Sequence, residues 1–91
     1  MKDGQSSQEI QKRIGDILFA QGRMANAATL TESQDLYAAG LTSFAAVQVM
    51  LALEEAFDVE FPERMLNRRS FASIAAICGC IEEISSIQAA A

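Results

Sequence analysis

Apolar positions recur at helical spacing in three parts of the chain, and one long stretch between the first two keeps no period. Ile10, Ile14, Ile17 and Leu18 share a face of a helix predicted over about residues 7–21. Ser6-Ser7-Gln8-Glu9 offers a capping box at its start, and Gly22 is a stop signal. Residues 23–42 are predicted as a loop of about 20 residues, a length that in a compact domain implies function or local order. Leu30, Leu36, Tyr37 and Leu41 are the residues expected to pin it to the core, with one short turn over 33–38. A second helix is predicted over Ser43–Phe57, and a short third over about 63–67, opened by Pro62. The fourth starts near Ser70 as N-cap and carries Ile74, Ile77, Ile81 and Ile84 along one stripe. Val59-Glu60-Phe61 is too short to support a sheet. The pattern predicts an all-α fold: a small four-helix bundle with three longer helices and one short one. It is a single domain over residues 1–91, with an ordered core at about 7–87.

The second helix carries one apolar stripe more than a bundle helix needs. At about 100° per residue, Ala46, Val49, Met50, Leu53 and Phe57 form a core face. Phe44, Val47 and Leu51 form another on nearly the opposite side, flanked by Gln48, Glu54 and Glu55. Either the long loop folds over this second stripe, or the stripe stays exposed and binds a partner. An apolar centre with acids at its rim is the composition of a docking surface, steerable toward a basic partner. Arg64, Met65 and Arg68 are expected to extend it.

Charge sharpens this picture. The net charge is −5, and residues 24–63 hold seven acids and no Lys or Arg, after which come Arg64, Arg68 and Arg69. An acidic middle disfavours nucleic acid, whose binding rests on neutralising phosphates. No apolar run approaches the roughly 20 residues of a membrane span, and Met1–Gln5 lacks a signal-peptide stretch, so a cytoplasmic protein is expected. The chain has no Trp, one Tyr and five Phe, so aliphatic packing must carry the core. Cys78 and Cys80 point about 200° apart on a helix and cannot pair, and with no His a zinc site is not expected. They are expected to pack as small apolar residues.

Ser43 is the candidate chemical group. It lies in Gly40-Leu41-Thr42-Ser43-Phe44, at the mouth of the second helix. Unpaired backbone N–H groups and the helix dipole favour a phosphate there. Without His there is no Ser-His-Asp triad, and a Gly-rich phosphate loop and a complete EF-hand are also missing, so no enzyme activity is expected. A serine at a helix start is otherwise most often an N-cap.

From Asp35 to about Ile84 the chain resembles the acyl carrier protein family. Asp35-Leu36 followed by Gly40-Leu41-Thr42-Ser43-Phe44 is similar to that family's loop and modified serine. Leu53-Glu54-Glu55-Ala56-Phe57 and Phe61-Pro62 are similar to the end of its second helix and the turn beyond. Two features differ from its fatty-acid members: Thr42 stands where Asp is usual, and Phe44 through Leu53 is uncharged. The resemblance implies a 4′-phosphopantetheine arm on Ser43 that carries acyl or aminoacyl groups as thioesters. It implies as partners a phosphopantetheinyl transferase, an acyl- or aminoacyl-loading ligase, and a downstream acyltransferase or synthase, acting on a monomer. A specialised acyl or amino-acid carrier fits better than bulk fatty-acid synthesis. The alternative is a helical interaction module without a prosthetic group, in which Ser43 is only an N-cap.

Overall fold

The computed structural model describes residues 7–90, with side chains described through Gln88. Ser6 of the expected capping box and the closing Ala91 lie outside the described residues. Three substantial helices form the bundle: α1 (Ser7–Ala20), α2 (Ser43–Phe57) and α3 (Ile74–Ala90). Between them run single 3-10 turns at Ala27–Thr29, Glu63–Met65 and Arg68–Phe71. No helix among the described residues is long and apolar enough to cross a membrane.

The bundle therefore has three helices of substance, not four. The short helix expected over 63–67 is a 3-10 turn that ends at Leu66 (φ −87°, ψ 70°), and Asn67 beyond it is extended, at φ −147° and ψ 167°. Asn67 replaces helical bonding with its own side chain: Nδ2 donates to the Arg64 carbonyl, and Oδ1 accepts from the Ser70 N–H. Ser70 is thereby drawn into the next 3-10 turn. The last helix starts three residues later than expected, where the Ser73 hydroxyl accepts from the Ala76 N–H at 3.0 Å.

The core forms where the expected stripes meet. Ile10, Ile14 and Leu18 of α1 pack with Val49 and Leu53 of α2 and with Ile74, Ile77, Ile81 and Ile84 of α3, all buried. Seven side chains are essentially without solvent contact, Leu36 of the loop among them. Each such burial stabilises the fold by roughly 1.5–3 kcal/mol. Met50, Phe57 and Ile17, expected in the core, are only partly buried against it. Cys78 is buried and Cys80 half-buried, both as free thiols. Arg13 ties α1 to the end of α2. Its Nη2 donates to the Ala56 carbonyl at 3.0 Å, and its guanidinium lies 4.6 Å from the centre of the Phe57 ring.

The long loop has local order throughout. Met24 and Ala27 are buried, which the sequence reading missed, and Leu36 and Leu41 are buried as expected. The Leu36 N–H donates to the Ala72 carbonyl at 2.7 Å, and the Ala75 N–H donates to the Glu32 carbonyl at 2.8 Å. These two bonds fasten the loop to the start of α3. Gly40 has φ +124°, a conformation open to glycine and strained for other residues.

At the end of α1 the left-handed residue is Arg23 (φ 58°), not Gly22. Gly22 is required by a close approach: a Cβ there would lie 2.7 Å from the Leu18 carbonyl oxygen and 3.1 Å from Val49 Cγ2. Gly15, inside α1, has open space at the same distance. Gly22→Ala is therefore expected to destabilise the fold by about 1–3 kcal/mol. Gly15→Ala should stabilise it by up to about 1 kcal/mol. Thermal melts of the two variants check both signs.

Candidate functional site

Helix α2 begins where the pinned loop delivers Thr42. Leu36 is buried and its carbonyl accepts from the Leu41 N–H at 2.9 Å, which closes the turn and buries Leu41. Thr42 follows in extended conformation, φ −92° and ψ 161°. Its Oγ1 accepts from the Ala45 N–H at 3.0 Å, and its carbonyl accepts from the Ala46 N–H at 2.8 Å. Thr42 is thus the N-cap, the position that the sequence leaves open to Ser43.

Ser43 is the first residue within the helix and is exposed. Its hydroxyl has no hydrogen bond among the described residues and is not needed for capping. The first turn of α2 contains no acid. The amides of a first helical turn that lack carbonyl partners give this end a partial positive charge. An exposed, unengaged hydroxyl at an electropositive helix end fits a phosphate ester.

The second stripe of α2 stays open. Phe44 is 73% exposed, Val47 51% and Leu51 51%, so the loop does not cover it. The loop instead packs Met24, Ala27, Leu36 and Leu41 into the core beneath. Gln48 is half-buried and Glu55 exposed beside the stripe. Glu54 is half-buried, and its carboxylate accepts from the Phe61 N–H at 2.9 Å, while its carbonyl accepts from Val59 at 3.1 Å. Glu54 therefore fixes the turn after α2, with Asp58 left-handed (φ 55°) at the C-cap.

Among the expected extensions of this surface, Met65 belongs to the core at 4% exposure. Its neighbour Leu66 is the exposed apolar residue, at 49%. The cause is the 3-10 turn, whose tighter winding rotates Met65 inward relative to an α-helix. Arg64 is paired with Glu83 of α3 at 2.7 Å. The Arg68 guanidinium stacks 3.9 Å from the centre of the Tyr37 ring.

Ser43 opens onto a groove of about 250 Å³ between α2 and the two 3-10 turns before α3. Ala46, Val47 and Met50 line it from α2, Leu66 and Phe71 from the other wall, and Tyr37 and Arg68 at its edge. Tyr37 was expected only as an anchor for the loop, and no sequence pattern places it beside Ser43. Burial pushes the Tyr37 phenol above its ordinary value, Arg68 pulls it down, and Asp35 raises it.

The phosphopantetheine attachment-site family matches residues 21–81. An aminoacyl carrier protein of Agrobacterium fabrum is 67% identical over 49 residues, 54% of this chain and 59% of that protein. The match thus spans less than two thirds of that relative's length. The fold is similar to a chain in the crystal structure of an engineered Bradyrhizobium japonicum glycine:[carrier protein] ligase complexed with carrier protein from Agrobacterium tumefaciens and ATP. There the TM-score is 0.79 and the identity 50%, over 82% of this chain and 99% of that one. It is also similar to a solution structure from Agrobacterium tumefaciens, with TM-score 0.72 and identity 49%, over 89% of this chain and 99% of that one.

Thr42→Ala removes the cap and is expected to cost about 1 kcal/mol, whereas Ser43→Ala should leave stability within about 0.5 kcal/mol. Denaturant melts of the two variants separate the roles. Tyr37 is the only tyrosine, so ultraviolet titration reads its phenol alone. The folded protein holds this proton more tightly than the unfolded chain does. The associated stability is present below the ordinary phenol value of about 10 and lost as pH rises through the higher folded value. Arg68→Gln removes the lowering influence and should move the titration midpoint further up.

Proposed function

The chain belongs to the phosphopantetheine attachment-site family, and from that premise we propose that it is an aminoacyl carrier whose arm is attached at Ser43. The observation that carries this reading is the division of labour at the start of α2. Thr42 takes the capping bond, and the adjacent Ser43 hydroxyl stands exposed and unengaged. The attached 4′-phosphopantetheine supplies a terminal thiol that holds the aminoacyl group as a thioester. The chain's own part is to present that arm. The helix end stabilises the phosphate charge, and the rigid bundle keeps the attachment point beside the surface on which partner enzymes dock. Delivery from a docked carrier is effectively intramolecular, which raises the local concentration of cargo without any catalytic group on this protein.

Phe44, Val47, Leu51 and Leu66 form the apolar centre of the proposed docking surface, with Gln48, Glu55 and Glu54 along it and Arg68 at one side. The relatives favour an amino acid over a fatty acyl cargo. One is an aminoacyl carrier protein, and another similar fold occurs in a complex with a glycine:[carrier protein] ligase. A ligase of that kind is the proposed loading partner, after a phosphopantetheinyl transferase has modified Ser43. A downstream acyltransferase or synthase would take the cargo. We take residues 1–91 as one cytoplasmic, monomeric carrier domain.

Intact mass before and after incubation with coenzyme A and a broad-specificity phosphopantetheinyl transferase tests the attachment. The expected result is a gain of one phosphopantetheine that is absent in Ser43→Ala. An unchanged mass in folded wild type, also with a dedicated transferase, would leave a cofactor-free interaction module as the better reading. For the surface, Leu51→Glu is expected to lower kcat/KM of aminoacyl loading by about tenfold or more, with the melt unchanged. Unchanged loading kinetics would remove Leu51 from the interface.

A further inference from the structure

The groove beside Ser43 has one charged side chain among its lining residues, Arg68. In a chain of net charge −5, a lone cation at this place calls for a physical account. Two other arginines have partners: Arg64 pairs with Glu83, and Arg13 donates to the Ala56 carbonyl. Arg68 has no hydrogen bond or ion pair among the described residues and is held by its stack on Tyr37. Contact with the ring face uses none of the guanidinium N–H donors. A guanidinium in that state is a ready donor fork for a phosphate oxygen pair. Asn67, the other polar neighbour on that wall, has its amide committed to Arg64 and Ser70.

Resting on the carrier reading, we propose that Arg68, braced on Tyr37, closes on the phosphodiester of the arm at Ser43 and so directs the arm out over the Met50–Phe71 groove. Arg68 is a positioning residue, and no bond is made or broken in this step. A phosphodiester carries one negative charge, which the α2 start and Arg68 would share from two sides. Arg69 lines neither this groove nor the one beside Thr42, which leaves Arg23 as the competing cation. It lines a different groove, with Gly40, Thr42, Phe44 and Gln48, on a wall to which Ser43 does not contribute. The groove that Ser43 itself lines contains Arg68, and that choice gives the arm a defined side of α2. Once the arm is directed to that side, Phe44 and Leu51, which do not line this groove, stay clear for a docking enzyme.

The test uses isotopically labelled full-length protein converted with coenzyme A and a transferase, with intact mass recording the conversion. In wild type, the Arg68 Nε–Hε cross-peak should shift between the apo and holo forms. The phosphorus-31 resonance of the holo protein should shift in Arg68→Gln and stay in place in Arg23→Gln. No mass gain in wild type, with a dedicated transferase as well, would sink the carrier reading itself, and this proposal with it. Full conversion with a phosphorus resonance indifferent to Arg68→Gln would overturn the Arg68 assignment alone. So would a response to Arg23→Gln instead. An equal Arg68 shift on adding inorganic phosphate to apo protein would reduce the contact to a nonspecific anion site and overturn it too.

Discussion

One hydrogen bond and one buried side chain organise the functional end of this bundle. The Leu36 side chain is fully enclosed, and its N–H donates to the Ala72 carbonyl at 2.7 Å, joining the long loop to the segment that leads into α3. Everything near Ser43 follows from that junction. On one side of it Leu41 is buried and Thr42 is set in the extended conformation that caps α2. On the other, the residue after Leu36 is Tyr37 and the residue before Ala72 is Phe71, both of which line the groove that Ser43 opens onto. Arg68 stacks on Tyr37 because the same junction brings the loop and the last 3-10 turn together.

The proposed attachment point needs a rigid support, and the distribution of apolar residues supplies it. Helix α2 is held by a narrow face of small and branched residues, Ala45, Ala46, Val49 and Leu53. A narrow face suffices because Gly22 lets α1 approach Val49 closely and Arg13 binds the far end of the helix at Ala56 and Phe57. The remainder of α2 is then free to be apolar and exposed. That exposure is costly in solubility, and the net charge of −5 works against self-association.

Much of this was legible in the sequence, for identifiable reasons. The bounds of α2 and the Ile74–Ile84 stripe come from strong helical periods, and the two apolar faces of α2 separate cleanly on a helical wheel. Less legible were decisions between neighbours of like chemistry. Thr42 and Ser43 are both good caps, and only the closure of the loop at Leu41 selects Thr42. Ser70 and Ser73 are a similar pair, settled by the Asn67 side chain drawing Ser70 into a 3-10 turn. Met65 is buried and Leu66 exposed in its stead because that turn is wound more tightly than an α-helix, and a 3-10 turn leaves too few residues to show a period. The encounter of Tyr37 with Arg68 joins residues far apart in sequence, and no local pattern encodes it.

The central claim is that the cap and the attachment site are adjacent but distinct residues, so that modification of Ser43 leaves the helix start intact. The chain has no Lys or Arg from Met24 to Glu63, so trypsin releases Ser43 within one long peptide, together with Thr29, Thr31, Ser33 and Thr42. Fragmentation of that peptide from protein purified out of its native cells is the most direct measurement. The account predicts phosphopantetheine on Ser43 and none on Thr42. A peptide modified at Thr42, or found only unmodified, would contradict it.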